Sequence, residues 1–185
     1  ANIGDNAFGC NNITEFFVDD NKFFCSKDGV LFDKSGTKLI QYPCRKSSEA
    51  YTVPDGVTSI DKGAFSAADL LKNITISNSV TNIGDYAFSQ CYNLTNIIIP
   101  KSVISIGEFA FYDYNNLTIQ GHARSYAETY AKTNKIPFIY IYSVSSLYTD
   151  TNLKLFYNQP KNSIEIGDVV NVGADYLRGN SLGML

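Results

Sequence analysis

The sequence predicts a solenoid of short parallel β-strands stacked at a 23-residue period, β-rich and with little helix. Two observations carry this expectation. The run Asn82–Phe88 (NIGDYAF) returns as Ser105–Phe111 (SIGEFAF), and earlier as Ser59–Phe65 and Asn2–Phe8, with Phe65, Phe88 and Phe111 spaced 23 residues apart. Other apolar positions keep the same interval: Val57, Val80 and Val103; Ile60, Ile83 and Ile106; Leu71 and Leu94; Ile74 and Ile97; Ile76 and Ile99. One such coil cannot cover its own apolar side chains, whereas stacked copies can.

Within one unit, Leu94-Thr-Asn-Ile97-Ile-Ile99 alternates as a short strand does, with Ile97 and Ile99 pointing the same way. A turn at Pro100-Lys101-Ser102 leads to a second extended piece, Val103–Ile106. Gly107 then permits a bend, and Ala110-Phe111 turns inward. Each Phe is expected over the Phe of the next coil, in a column through the core.

Phe8 and Phe65 are 57 residues apart, one period plus an insertion of 34. Lys22–Ser26, Val30–Phe32 and Lys38–Tyr42 read as three short strands, with turns at Asp28-Gly29 and Ser35-Gly36. They predict a small β-meander over about residues 19–50 that buds from one edge, closes at Pro43 and rejoins the ladder at Tyr51–Pro54.

A cap follows over residues 121–141. Ser125-Tyr-Ala-Glu128 is a capping-box sequence. Tyr126, Ala127, Tyr130 and Ala131 share an apolar helical face, Asn134 suits the helix end, and Pro137 blocks continuation. Ile136–Ile141 reads as a strand sealing the last coil. The array is therefore placed at 1–142 and a β-rich tail at 143–185. In that tail, Ser163–Ala174 alternates as two strands about a glycine turn and looks like the opening of a bacterial immunoglobulin-like module. Its 43 residues fall well short of the roughly 100 a sandwich needs.

The unit I-x-I-P-x-x-V-x-x-I-G-x-x-A-F, carried by Ile97–Phe111 with Cys91 and Leu94 before it, resembles the BspA-like (Treponema-type) leucine-rich repeat of bacterial and protist surface proteins. The resemblance covers about Ala1 to Ile141. Ala68, Asp61 and Ser77 depart from the usual Cys, Gly and Pro. It implies a leucine-rich repeat solenoid in a secreted or cell-surface protein, with adhesion to host proteins or other cells as the suggested role.

Composition narrows the function classes. Hydrophobic residues make up 44% and charged ones 18%, enough for a core, and the net charge of -3 with no basic tract argues against a nucleic-acid footprint. The longest nearly apolar run, Ile136–Tyr142, is too short for a membrane span. No signal peptide opens the chain, which begins inside a repeat and reads as a fragment of something longer. Cys10, Cys25, Cys44 and Cys91 show no ligand-like pairing, and the single histidine, His122, has no Cys neighbour, so neither a zinc site nor a cofactor is expected. Cys25 and Cys44 have the option of pairing; free buried thiols are the favoured reading.

Gly179-Asn-Ser181-Leu-Gly183 matches G-x-S-x-G, but the chain stops two residues later and its histidine lies upstream, so Ser181 reads as a loop residue. Asp19-Asp20 reads as a solvated turn, lacking the spacing of a calcium loop. N-x-T triplets at Asn12, Asn73, Asn93 and Asn116 read as part of the repeat rather than as glycan acceptors.

What remains is surface. Alternation places Glu15 and Phe17, Asn73 and Thr75, then Asn96 and Ile98 on the sheet face away from the core, a candidate partner-binding strip. The expected function is a non-catalytic binding or adhesion module presenting a concave repeat face to proteins, such as host extracellular matrix or another cell surface. A glycan-binding or spacer module within a larger secreted enzyme is the alternative.

Overall fold

The computed structural model describes residues 3, 7, 8, 12–143 and 169–171. The chain divides into two compact units, Ala1–Phe138 and Ile139–Leu185.

In the first unit, two sheets share one core. The first runs in the order β1 (Phe24–Lys27), β2 (Val30–Asp33), β3 (Lys38–Gln41), β5 (Ser59–Ile60), β7 (Asn82–Ile83) and β9 (Ser105–Ile106). Its β1–β2 and β2–β3 pairs are antiparallel, and every pair from β3 onward is parallel. In the second sheet, β4 (Ala50–Thr52), β6 (Asn73–Thr75), β8 (Asn96–Ile99) and β10 (Thr118–Gly121) are all parallel. Register follows the period: Ile60↔Ile83↔Ile106 in one sheet, Ile74↔Ile97↔Ile119 in the other. All six of these isoleucines are buried in a single cluster.

The aromatic column runs through that cluster. Tyr42 stacks on Phe65 at 5.1 Å, Phe65 on Phe88 at 4.9 Å, and Phe88 on Phe111 at 5.1 Å. These separations match the strand spacing of about 4.8 Å that the parallel ladders impose. Backbone bonds lock the same corner: the amides of Tyr42, Phe65 and Phe88 donate to the carbonyls of Ala64, Ala87 and Ala110, each at 2.7 Å. Cys91 adds a thiol bond to the Phe65 carbonyl at 3.0 Å, a physical reason for cysteine at that repeat position.

Three expectations are extended or changed. The antiparallel meander β1–β3 forms one edge of the first sheet, as expected, but it is no appendage: β3 pairs in parallel with β5, so the insertion supplies a coil of the array itself, with Tyr42 in the phenylalanine position. Phe8, expected in the column, meets Phe16 edge-on at 4.9 Å instead. At the other end, α1 (Tyr126–Thr133) buries Ala127 and Ala131 and sets Tyr130 edge-on against Phe111 at 5.9 Å, while Tyr126 is exposed rather than part of the apolar face.

The helix cap forms with a shift. Ser125 Oγ accepts from the Glu128 amide at 3.2 Å, and Glu128 Oε2 reaches back to the Arg124 amide at 2.6 Å, one residue before the cap. Gly84 owes its place to crowding between coils: a Cβ there would lie 2.6 Å from the Lys62 amide nitrogen. Asp61 fills the corresponding corner one coil earlier, where it ion-pairs with Lys38 at 2.8 Å.

In the second unit, β11 (Phe138–Ser143), which begins at the division, pairs antiparallel with β12 (Val169–Asn171). The rest of the tail, including Ser181 and most of the immunoglobulin-like stretch, lies outside the described residues.

Candidate functional site

The strand period places a regular set of side chains on the outward face of the second sheet. Asn73 and Thr75 on β6, Asn96 and Ile98 on β8, and Thr118 and Gln120 on β10 alternate with the buried isoleucines. Register sets Asn73 beside Asn96 and Thr75 beside Ile98, so four of the six expected strip residues come together. Their amides link the coils: Asn96 Nδ2 donates to Asn73 Oδ1 at 3.2 Å, and Gln120 Nε2 donates to Asn96 Oδ1 at 3.3 Å. This polar ladder ties neighbouring coils together across the face and leaves Ile98 half-buried within it.

Glu15 and Phe17 stand apart. Residues 12–20 form no strand; the Phe16 amide bonds to the Gly29 carbonyl at 2.8 Å, and the Arg45 amide to the Ile13 carbonyl at 2.8 Å. Phe17 is 88% exposed there. Its alternation with half-buried Phe16 was legible; its pairing was not.

A second surface escaped the sequence reading. At the bend of each coil, Gly63, Tyr86 and Phe109 occupy equivalent positions with φ of +66°, +53° and +54°. Glycine takes this left-handed region freely, while a side chain there costs roughly 1–2 kcal/mol. The two aromatic residues nevertheless stack on each other at 5.3 Å, and Phe109 meets Tyr112 edge-on at 5.9 Å. All three are exposed, at 40%, 52% and 54% for Tyr86, Phe109 and Tyr112. Tyr92 is exposed nearby; its hydroxyl donates to Asp113 at 2.9 Å, an interaction that raises the phenol's pKa. The repeated apolar residues that define the period face inward, so only the outward positions of the bend would have signalled this ridge.

The remaining candidates have structural placements. Asn93 Nδ2 donates to the Asp69 carbonyl at 2.7 Å and Asn115 Nδ2 to the Tyr92 carbonyl at 3.1 Å, so asparagines at this corner tie coil to coil. His122 is half-buried, its carbonyl accepting from the Ser125 amide. Cys25, Cys44 and Cys91 are free thiols, and Cys25 Sγ donates to the Asp33 carbonyl at 3.0 Å. Among the described residues no group of three or more His, Cys, Asp or Glu side chains is placed to hold a metal ion.

One buried polar group stands out. Tyr42 Oη is buried without a well-formed hydrogen bond; the Ser48 hydroxyl close by donates to the Ala50 carbonyl at 2.6 Å. Burial pushes the Tyr42 phenol up to about 12.

Comparison with known proteins agrees with this geometry. The family model described as the BspA type leucine rich repeat region matches residues 36–161 in six copies. The match begins with the coil of β3 rather than at Ala1. A leucine-rich repeat protein from Eubacterium ventriosum ATCC 27560 superposes with a TM-score of 0.55 at 36% identity, covering 58% of this chain and 29% of that one. The pneumococcal vaccine antigen PcpA gives 0.54 at 26% identity, covering 58% and 33%. A leucine rich cell surface protein from Faecalibacterium prausnitzii A2-165 gives 0.50 at 24% identity, covering 80% and 47%, and shares the fold. The chain thus spans less than half the length of these proteins. The comparison with curated proteins found no match.

Proposed function

From the premise that this chain belongs to the BspA-type leucine-rich repeat family, we propose that it is a non-catalytic binding or adhesion module of a secreted or cell-surface protein. The observation that carries the reading is the outward face of the second sheet. There Asn73, Thr75, Asn96 and Ile98 stand in register on adjacent strands, pre-ordered by side-chain hydrogen bonds between coils. Such a surface suits an extended protein partner rather than a small molecule in a deep pocket. A half-buried isoleucine ringed by polar side chains is a typical anchor for that contact. The likeness to a pneumococcal vaccine antigen supports a surface location. Among the described residues no helix is long and apolar enough to cross a membrane.

The test is a binding screen of immobilised matrix proteins, host cells and glycans against the wild type and an Ile98→Ser, Thr75→Arg double variant. A protein ligand that the double variant loses by tenfold or more, about 1.4 kcal/mol, supports the assignment. A ligand bound equally by both refutes the sheet face, and turnover that depends on His122 or Ser181 refutes the non-catalytic reading.

A further inference from the structure

We infer that the exposed ridge Tyr86–Phe109–Tyr112 is a second recognition surface, and that its occupant is an arginine-bearing segment of a partner protein. The inference rests on the chain being a binding module but not on the sheet face. Three rings form one exposed run, joined at 5.3 and 5.9 Å. Two of them hold a left-handed backbone that the equivalent Gly63 adopts without a side chain. These outward rings lie outside the buried core cluster, and about half of their surface stays open to a partner.

Charge selects the occupant. Exposed Glu108 and Asp113 are next in sequence to Phe109 and Tyr112, and neither forms an ion pair with another described residue. Asp113 already accepts from the Tyr92 hydroxyl at 2.9 Å, which holds its carboxylate in place next in sequence to Tyr112. Aromatic faces attract cations, and a guanidinium can lie on a ring while its N–H fork meets a carboxylate. The chain's net charge of -3 favours the same partner sign. A neutral sugar is a poorer fit: it gains hydrogen bonds from the two carboxylates but no Coulomb attraction, whereas a guanidinium gains both.

The experiment is fluorescence anisotropy with a labelled hexaarginine peptide, with hexalysine as the charge-matched control. The reading expects saturable binding of hexaarginine, at least about threefold tighter than hexalysine because guanidinium stacks where ammonium does not. A Phe109→Gly, Tyr112→Ser variant should weaken it about tenfold or more, and Asp113→Asn about threefold. Phe109→Gly relieves the left-handed backbone, and a circular-dichroism melt checks that the variant folds. Ile98→Ser should leave the affinity unchanged, which separates failure here from failure of the sheet-face assignment. Equal binding of the two peptides, unchanged affinity in the aromatic variant, or no saturable binding would overturn the proposal. A glycan-array signal lost with the aromatic variant would overturn it in favour of sugar.

Discussion

Truncating Phe88 to alanine removes the middle of the column. Its side chain is fully buried, with rings 4.9 Å away on one side and 5.1 Å on the other. Burying such a ring contributes about 1.5–3 kcal/mol, and each aromatic pair adds about 0.5–1.5 kcal/mol. The total agrees with the roughly 3–5 kcal/mol measured for truncating buried aromatics elsewhere. The control is Phe8→Ala. Phe8 is half-buried and makes one edge contact, so its loss should cost only about 1 kcal/mol. Urea titration followed by circular dichroism reads both. With roughly 2–4 °C per kcal/mol for a chain of this size, Phe88→Ala should also lower Tm by about 10 °C. Equal, sub-kcal effects at the two positions would refute the stacked-column reasoning.

Ser125→Ala should cost about 1 kcal/mol in the same titration, because it removes the acceptor for the Glu128 amide; an unchanged midpoint would mean the cap contributes nothing. Gly84→Ala should destabilise by about 1–3 kcal/mol although Gly84 is not left-handed, since the new Cβ meets Lys62 and Asp61 backbone atoms at 2.6 and 2.8 Å; a neutral result would contradict the close approach of coils. Tyr42→Phe should stabilise by about 1 kcal/mol near neutral pH, because it deletes a buried hydroxyl without a well-formed hydrogen bond. Together with Tyr51 and Tyr130, whose phenols burial also pushes up, the same phenol makes the fold alkali-sensitive. Its pKa rises from 10.0 unfolded to about 12 folded, so above pH 10 the unfolded chain binds fewer protons and stability falls until about pH 12. Thermal melts across that window should show a smaller loss for Tyr42→Phe; an identical alkaline slope would place the titration elsewhere.

The period was legible because coil corners are sterically demanding. Ile-Gly at 83–84 and 106–107 and Ala-Phe at 87–88 and 110–111 each answer to one close approach or one buried stack, so the same residues return. The coil of β3 and β4 was hidden for the same reason in reverse. Leu39 precedes Ile60 by 21 residues while Tyr42 precedes Phe65 by 23, so that corner is shorter and the recurring heptapeptide is absent. Hydroxyl-bearing Tyr42 nevertheless fills the phenylalanine position, because packing reads ring shape before it reads polarity.

Site residues were less legible. Alternation reports which side of a strand faces water, and it placed Asn73, Thr75, Asn96 and Ile98 correctly on one face. It does not report hydrogen-bond partners, and Glu15–Phe17 alternates in burial while its neighbour Phe16 bonds to Gly29 at the hairpin turn. The aromatic ridge carries no periodic apolar signal, since the residues at its repeat position are Gly63, Tyr86 and Phe109.

Residue-resolved amide hydrogen exchange tests the stacked-coil claim most directly. The amides of Phe65, Phe88, Gly84 and Gly107 each donate across a coil boundary, to Ala87, Ala110, Ile60 and Ile83, at 2.7–2.9 Å. They should exchange slowest and together, through opening of the whole array, since buried cross-coil bonds break only when neighbouring coils separate. Exchange of these four amides as fast as that of exposed, irregular Glu15 and Phe17 would contradict the stacking on which every other conclusion depends.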